Sequence, residues 1–308
     1  MSHKVLVIGA GELGTQVLLS LAQHPQSKDT SISVLLRPST ISSPSPEKAK
    51  EIQTLKGNNI TLVPGDVALD TTETLSSTFK GYDTVISCTG FSAGKGTQIK
   101  LATAVLNAKV KRYIPWQFGI DYDIIGRGSA QDLFDEQLDV RDLLRSPNNK
   151  ETKWVIVSTG MFTSFLFEPS FGVVDLESGV VTALGEVENR VTLTTVQDIG
   201  RFTAEVVLSP AGEEGFSNGV IHVAGDTVSY GQVADILEKV TGRKFEKRVR
   251  TVQGAKDDLR KDPGNGLYKY EVVFGEGRGV AWDVEGSWNV KRGIRGQSVE
   301  EWVRENLV

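Results

Sequence analysis

The sequence predicts an α/β protein, a Rossmann-type doubly wound parallel sheet followed by a smaller C-terminal lobe, and three observations carry that reading. First, Val5 to Ile8 is an apolar run that gives way at once to Gly9-Ala10-Gly11-Glu12-Leu13-Gly14, after which Leu13, Val17 and Leu21 recur at helical spacing. The run is a strand, the glycines a turn, and the continuation an amphipathic helix. Second, strand and helix signals alternate through the first half of the chain, as in a parallel sheet with helices on both faces. Third, the alternation stops beyond Thr159-Gly160, where the aromatic-rich stretch Met161-Phe162-Thr163-Ser164-Phe165-Leu166-Phe167 begins. These breaks divide the chain into 1–157 and 158–308.

Taken in order, Ile32 to Leu36 is the second strand, ended by Arg37. Pro38 to Pro46 is rich in proline and serine and reads as a loop. Lys48 to Leu55 reads as a short helix, Asn59 to Val63 as the third strand, Leu75 to Phe79 as part of a helix and Thr84 to Ser87 as the fourth strand. A glycine-rich loop, Thr89 to Thr97, leaves that strand. It is not a P-loop, because three residues rather than four separate Gly90 from Gly94-Lys95, and Gly96 stands where Ser or Thr is needed. Ile99, Ala102, Val105 and Leu106 mark a helix, Arg112 to Pro115 the fifth strand, Leu133 to Leu144 a helix and Trp154 to Val157 the sixth strand. Short strands follow near Val180 and Val191, and Val220 to Ala224 is expected to return to the main sheet. Thr227 to Val240 and Val299 to Leu307 read as helices, while Gly275 to Gly296 shows no periodicity and receives no assignment.

The glycine turn has a chemical meaning in this context. Gly9 permits a tight turn, Gly11 lets backbone approach a pyrophosphate, and Gly14 lets the helix pack closely on the strand, with the helix N-terminus presenting free N–H groups. Residues 1–157 are therefore read as a dinucleotide-binding domain and 158–308 as a smaller substrate-binding lobe; the alternative for the turn is a purely structural bend. Arg37 stands where an NAD-binding protein carries Asp or Glu, so the reading is NADP, against the alternative of a solvated strand-end cation. Lys48 and Lys50 are either helix-surface charges or a second phosphate contact. The loop beginning Thr89-Gly90-Phe91 leaves the carboxyl end of a strand and is read as lining the cofactor crevice. Met161, Phe162 and Phe165 are either core or the wall of a substrate pocket.

Composition narrows the classes. The chain has 308 residues, 39% apolar and 24% charged, with a net charge of −5 and a pI near 5.4. An acidic chain with dispersed Lys and Arg is not expected to bind nucleic acid, and the one basic cluster, Arg243 to Arg250, is read as a solvated strand or helix end. One cysteine, Cys88, admits no disulfide within the chain and suits a reducing compartment. Neither a signal-peptide core nor an apolar run of the roughly 18 residues that span a bilayer is seen, so a cytoplasmic protein is expected. His3, His24 and His222 lie far apart, and no metal site is expected.

Several segments carry a family likeness. Val7 to Gly14, Leu36-Arg37-Pro38-Ser39-Thr40, Gly65-Asp66-Val67, Arg112 to Gly119, Phe134 to Arg141, Val157 to Phe162 and Val196 to Arg201 together resemble the NmrA-like, isoflavone-reductase-like family of atypical short-chain dehydrogenases, most like its fungal branch. The resemblance implies that Gly9, Gly11, Glu12, Leu13 and Gly14 hold the pyrophosphate of NADP, that Arg37 meets the 2′-phosphate with Lys48 as a second cation, and that Ser39 is among the cofactor-binding residues. It places Asp66 and Val67 at the adenine, Gln98, Gln117 and Phe118 near the nicotinamide half, and Arg141 among the NADP-associated residues. For some of these the residues alone admit a plainer reading: Asp66 ends a turn, Phe118 is core, and Arg141 pairs with Asp139 or Asp142.

One departure matters. Where reductases of the family carry a lysine that donates a proton or polarises the substrate, this chain has Gln137. An amide donates a hydrogen bond but delivers no proton near neutral pH, whereas a positioned acid contributes about 10²- to 10⁴-fold in rate. Tyr-x-x-x-Lys is absent as well. Tyr122, Asp121, Asp123 and Lys95 are the alternative proton sources, and Gln137 is expected to contact substrate or nicotinamide. The first expectation is an NADPH-dependent reductase of a small apolar carbonyl or imine compound, aromatic or unsaturated. The alternatives are a non-catalytic NADP-sensing regulator, the one reading that calls for a protein partner, and a non-redox isomerase or cyclase.

Overall fold

A computed structural model describes residues 2–209 and 216–308. β1 (His3–Ile8) turns into α1 (Glu12–Gln23), and β2 (Thr30–Leu36) is followed by α2 (Pro38–Ser42) and α3 (Pro46–Gly57). Next come β3 (Thr61–Pro64), α4 (Thr72–Phe79), β4 (Thr84–Ser87), α5 (Thr97–Asn107), β5 (Arg112–Ile114), α6 (Tyr122–Ile125), α7 (Leu133–Arg145) and β6 (Lys153–Ser158). β7 (Met161–Phe162), α8 (Thr163–Leu166), β8 (Val174–Asp175), β9 (Val180–Leu184), β10 (Arg190–Thr194), α9 (Val196–Leu208) and β11 (Gly219–His222) lead into β12 (Asp226–Ser229). The chain closes with α10 (Tyr230–Thr241), β13 (Glu246–Arg250), α11 (Val252–Lys261), α12 (Gly266–Glu276) and α13 (Val299–Asn306). It divides into two compact units, one of Met1–Gln117, Glu136–Val157 and Ile199–Ile221, the other of Phe118–Asp135, Ser158–Asp198 and His222–Val308.

The first unit is built on a seven-stranded sheet of order β11-β6-β5-β4-β1-β2-β3. Parallel pairing runs unbroken from β3 to β6. β1 is central and covered on both faces, which is why Val5, Leu6, Val7 and Ile8 form a continuous apolar run and are all fully buried. Leu6, Ile8, Phe79, Leu101, Val105, Tyr113, Trp154 and Ile156 belong to one core cluster. The chain lays strands outward from β1 to β3 and then returns to β4 on the other side of β1. That reversal is the switch point at whose carboxyl end ligands bind in open α/β sheets.

At the opposite end of β1, His3 is half-buried and its Nε2 lies 2.9 Å from Thr84 Oγ1. Burial, and then the Arg112 cation, pushes its pKa below the ordinary 6.5. The unfolded chain therefore takes up this proton before the folded chain does, so stability is expected to fall as pH drops below 6.5 and to level off below the depressed folded-state pKa. Urea midpoints of wild type and His3→Gln, compared at neutral pH and at pH about 5, should converge toward the acid side. A constant difference would contradict this.

The second unit contains two three-stranded sheets, β12-β10-β7 and β13-β9-β8. Among the described residues, Phe134, Phe165, Phe171, Tyr270 and Phe274 form a chain of ring contacts with centroids 4.5–6.3 Å apart. The Arg243–Arg250 stretch ends in β13, where Glu246, Lys247, Arg248 and Val249 are exposed.

Several local expectations change. The prolines of 38–46 do not keep that segment open: Pro38 and Pro46 start α2 and α3, a position where a missing N–H costs nothing. The third strand is Thr61–Pro64 rather than Asn59–Val63, because Asn59 has a φ of 59° and completes the turn. The helix expected from Thr227 begins at Tyr230, since Asp226–Ser229 pairs with β10 and Ser229 forms a capping box with Gln232. The unassigned Gly275–Gly296 holds the end of α12, closed by Gly277 with φ 71°, and a single 3₁₀ turn at Val290–Arg292.

Candidate functional site

The glycine turn is built for close approach. Gly9 has φ 93°, and its N–H bonds Leu35 O at 3.2 Å, tying the turn to β2. A Cβ on Gly14 would lie 2.2 Å from Gly9 O, so no side chain fits between α1 and the turn. At Gly11 the opposite holds: an added Cβ would meet nothing within 4 Å. Gly11 is the N-cap of α1 and, having no side chain, supplies no side-chain cap to the first turn of the helix. An open, uncapped helix start with room at the glycine is what an anion needs.

Cations stand near it. Lys48 Nζ donates to Ala10 O at 3.1 Å and pairs with Glu51, so α3 carries an ammonium to the glycine turn itself. Arg37 and Ser39 are both exposed, one ending β2 and the other in α2. Among the described residues the Arg37 guanidinium has no hydrogen-bond or ion-pair partner. Lys50 is exposed on α3. Asp66 is half-buried and its Oδ1 accepts from Ala68 N and Leu69 N at 2.9 and 3.3 Å, which gives it the turn-ending role. Val67 packs against the core cluster.

The loop after β4 is held from within. Thr89 Oγ1 donates to Ile8 O at 3.1 Å, and Gln98 Nε2 donates to Thr89 O at 2.9 Å. A Cβ on Gly90 would lie 2.9 Å from the Trp116 ring, and that ring meets Phe91 edge-on at 4.5 Å. The N-terminus of α5 is already taken: Glu136 Oε2 accepts from Gly96 N at 2.9 Å, and Oε1 accepts from Gln98 N at 2.7 Å and Ile99 N at 3.3 Å. This carboxylate closes the second glycine-rich helix start to an external anion, so α1 keeps the open one. Sequence reasoning missed Glu136 because 40 residues separate it from Gly96.

Gln117, Gln137 and Arg141 come together in the first unit. Arg141 Nε donates to Gln117 Oε1 at 2.8 Å, and Gln117 Nε2 donates to the Gln137 carbonyl at 2.9 Å. All three are fully buried, so each side chain meets protein, and Arg141 is not on a helix surface. Both polar atoms of the Gln137 amide lack a partner among the described residues. An unpaired buried polar group costs about 1–3 kcal/mol. Gln137→Leu is therefore expected to raise Tm by about 2–4 °C. A lowered Tm would show that the amide is paired in solution.

The remaining candidates, Lys95 of the first unit apart, lie in the second unit. Phe118, Tyr122 and Met161 are buried, and Phe162 and Phe165 are half-buried. The Tyr122 ring packs on Phe134 at 4.9 Å, and its hydroxyl lies against Gly119. Asp121 caps α6 and also meets His222, Oδ2 to Nε2 at 2.9 Å. The 101 residues between these partners hid the pair from sequence reasoning. Asp123 and Lys95 are exposed. Cys88 is buried, which pushes its thiol pKa far above the usual range.

A glycine turn of this build on a sheet of this order defines a Rossmann-type α/β protein. The NmrA-like family profile matches residues 1–293, and the chain belongs to that family. It is 48% identical over 310 residues, the full length of both chains, to an NmrA-like family domain-containing oxidoreductase of Gibberella moniliformis. Its fold is similar to that of isoflavone reductase, with a TM-score of 0.79 at 19% identity over 99% of each chain. The binary complex of leucoanthocyanidin reductase with NADPH from Vitis vinifera gives 0.77 at 20% identity over 98% of each chain. No helix among the described residues is long and apolar enough to cross a membrane.

Proposed function

We propose that the chain is an NADPH-dependent reductase of a small apolar carbonyl or imine compound, aromatic or unsaturated in character. The observation that carries this reading is the open, uncapped start of α1 at Gly11, with the Lys48 ammonium on Ala10. The oxidoreductase name of the Gibberella relative and the NADPH of the Vitis complex support it.

In this reading Gly11, Glu12 and Leu13 present N–H groups to the pyrophosphate, and Arg37 with Ser39 meets the 2′-phosphate. Lys48 adds a second cation, and the turn of Asp66 and Val67 borders the adenine. NADPH supplies the hydride when bound. Gln98, Gln117, Arg141 and Gln137, all buried, brace the strand-end loops from behind, and the Glu136 carboxylate fixes the start of α5. Met161, Phe162 and Phe165 furnish apolar surface to the substrate, as does buried Phe118 to the loop after β5.

Spectrophotometric loss of NADPH with a panel of aromatic aldehydes, quinones and cyclic imines tests the reading. Turnover that requires both NADPH and the carbonyl or imine compound is the expected result. Product formed with no loss of NADPH would instead select an isomerase or cyclase. A second reading rests on Gln137, whose amide carries no transferable proton: an NADP-sensing regulator. Tight NADP binding without turnover, together with a protein partner recovered by pull-down, would favour it.

A further inference from the structure

We infer that Trp116, with Phe91 set edge-on against it, selects a planar aromatic substrate in this chain; the inference rests on the reductase reading and gives the first unit a substrate-facing wall of its own. Every residue it uses lies in that unit. Two tight turns present the pair. Trp116 is the middle residue of a three-residue turn in which Gln117 N donates to Pro115 O at 2.8 Å. Phe91 opens the 3₁₀ turn Phe91–Ala93, which Gly94 closes with φ 94° and its N–H on Phe91 O at 2.9 Å. The two rings stand at 83° with centroids 4.5 Å apart.

Burial singles out Trp116. Tyr113, Ile114, Pro115 and Gln117 around it are buried, while Trp116 and Phe91 are half-buried. The Trp116 indole N–H has no acceptor among the described residues and is not sealed from solvent, whereas Trp282, also half-buried, seats the same group on Val223 O at 3.2 Å. Trp116 thus keeps both ring surface and a donor that the first unit leaves unused. The turns that carry the rings are braced. Gly90 admits no side chain beside the indole, Thr89 Oγ1 donates to Ile8 O, Gln98 Nε2 donates to Thr89 O, and Gln117 Nε2 donates to the Gln137 carbonyl. Rings held this way lose little freedom when a ligand covers them.

Location gives the pair its ligand. Phe91 follows the carboxyl end of β4 and Trp116 that of β5; the order β5-β4-β1-β2-β3 puts both on one side of β1, with Arg37 and Asp66, which follow β2 and β3, on the other. β1 and β4 flank the switch point. A dinucleotide with its 2′-phosphate at Arg37 and its pyrophosphate at α1 extends its nicotinamide toward β4 and β5. The compound that takes the hydride must meet that ring closely. Two rings at a right angle offer a flat aromatic compound a corner, parallel to one and edge-on to the other, and both contacts are favourable. An aliphatic carbonyl of the same reactivity gains neither.

The test uses the whole chain with NADPH and two vicinal diketones, phenanthrenequinone and diacetyl. Trp116→Leu is expected to lower kcat/KM for phenanthrenequinone about 10- to 50-fold and for diacetyl by no more than about threefold. Trp116→Phe keeps a ring and should hold the phenanthrenequinone value within about fivefold, with NADPH affinity within about twofold in both variants. Independently of activity, fluorine NMR of the wild type labelled with fluorotryptophan resolves the five tryptophans, and the signal missing from Trp116→Phe identifies Trp116. In the NADP⁺ complex that signal should shift with phenanthrenequinone and stay in place with diacetyl. Equal losses for the two diketones in Trp116→Leu, no loss for phenanthrenequinone, or a Trp116 signal that phenanthrenequinone leaves unmoved overturns the inference and leaves the reductase reading standing. A wild type that binds no NADPH, or binds it and reduces neither diketone, overturns both.

Discussion

Arg37→Ala is expected to raise the Kd for NADPH about 10- to 150-fold while leaving NADH within about twofold, because a hydrogen bond to a charged group contributes about 1.5–3 kcal/mol and only NADPH has the 2′-phosphate. The guanidinium ends β2, is exposed, and has no ion-pair partner among the described residues, so its removal should leave the fold unchanged. Titration of both nucleotides into wild type and variant measures the effect. Equal weakening of the two would remove Arg37 from the 2′-phosphate and would make Lys48, in α3, the cation to test next.

The second large effect separates two glycines of one turn. Gly14→Ala places a Cβ 2.2 Å from the Gly9 carbonyl, backbone against backbone, so the turn or α1 must shift. Overpacking of this kind costs about 1–3 kcal/mol, and NADPH binding should be lost with it. Gly11→Ala meets nothing within 4 Å and has a φ of −84°, so its Tm should stay close to wild type. If a pyrophosphate occupies that space, Gly11→Ala nevertheless weakens NADPH by at least about tenfold. Thermal melts with and without nucleotide read both variants. A Gly11→Ala protein that binds NADPH normally would show that the open space at the turn is not used.

What could be read from the chain follows a physical rule: local patterns were legible and distant pairings were not. Val5–Ile8, the glycines and the Leu13, Val17, Leu21 stripe lie within one strand–turn–helix, and the structure has that unit where the pattern puts it. The sequence shows Lys48 as a cation but not as a partner of Ala10, since 38 residues of chain intervene. Glu136 and His222 left no signal at all, because each acquires its meaning from a partner on another element. α11 has one buried residue, Ala255, and so no apolar stripe to betray it. α12 begins at an Asn265 cap that bonds Leu267 N and Tyr268 N, a usable start signal that the surrounding glycines and aromatics obscured.

Gln137 shows the limit in the other direction. Its identity marks a departure from the family pattern, but only the structure shows the residue buried, with its carbonyl bound by Gln117 and its amide without a partner among the described residues.

Isothermal titration of the purified, folded chain tests the central claim most directly, that the first unit holds a phosphorylated nicotinamide dinucleotide at the start of α1. The account predicts saturable heat with NADPH at one molecule per chain and binding of NADH at least about tenfold weaker. Absence of heat with NADPH and NADP⁺ alike, from protein whose melt shows a cooperative fold, would contradict it.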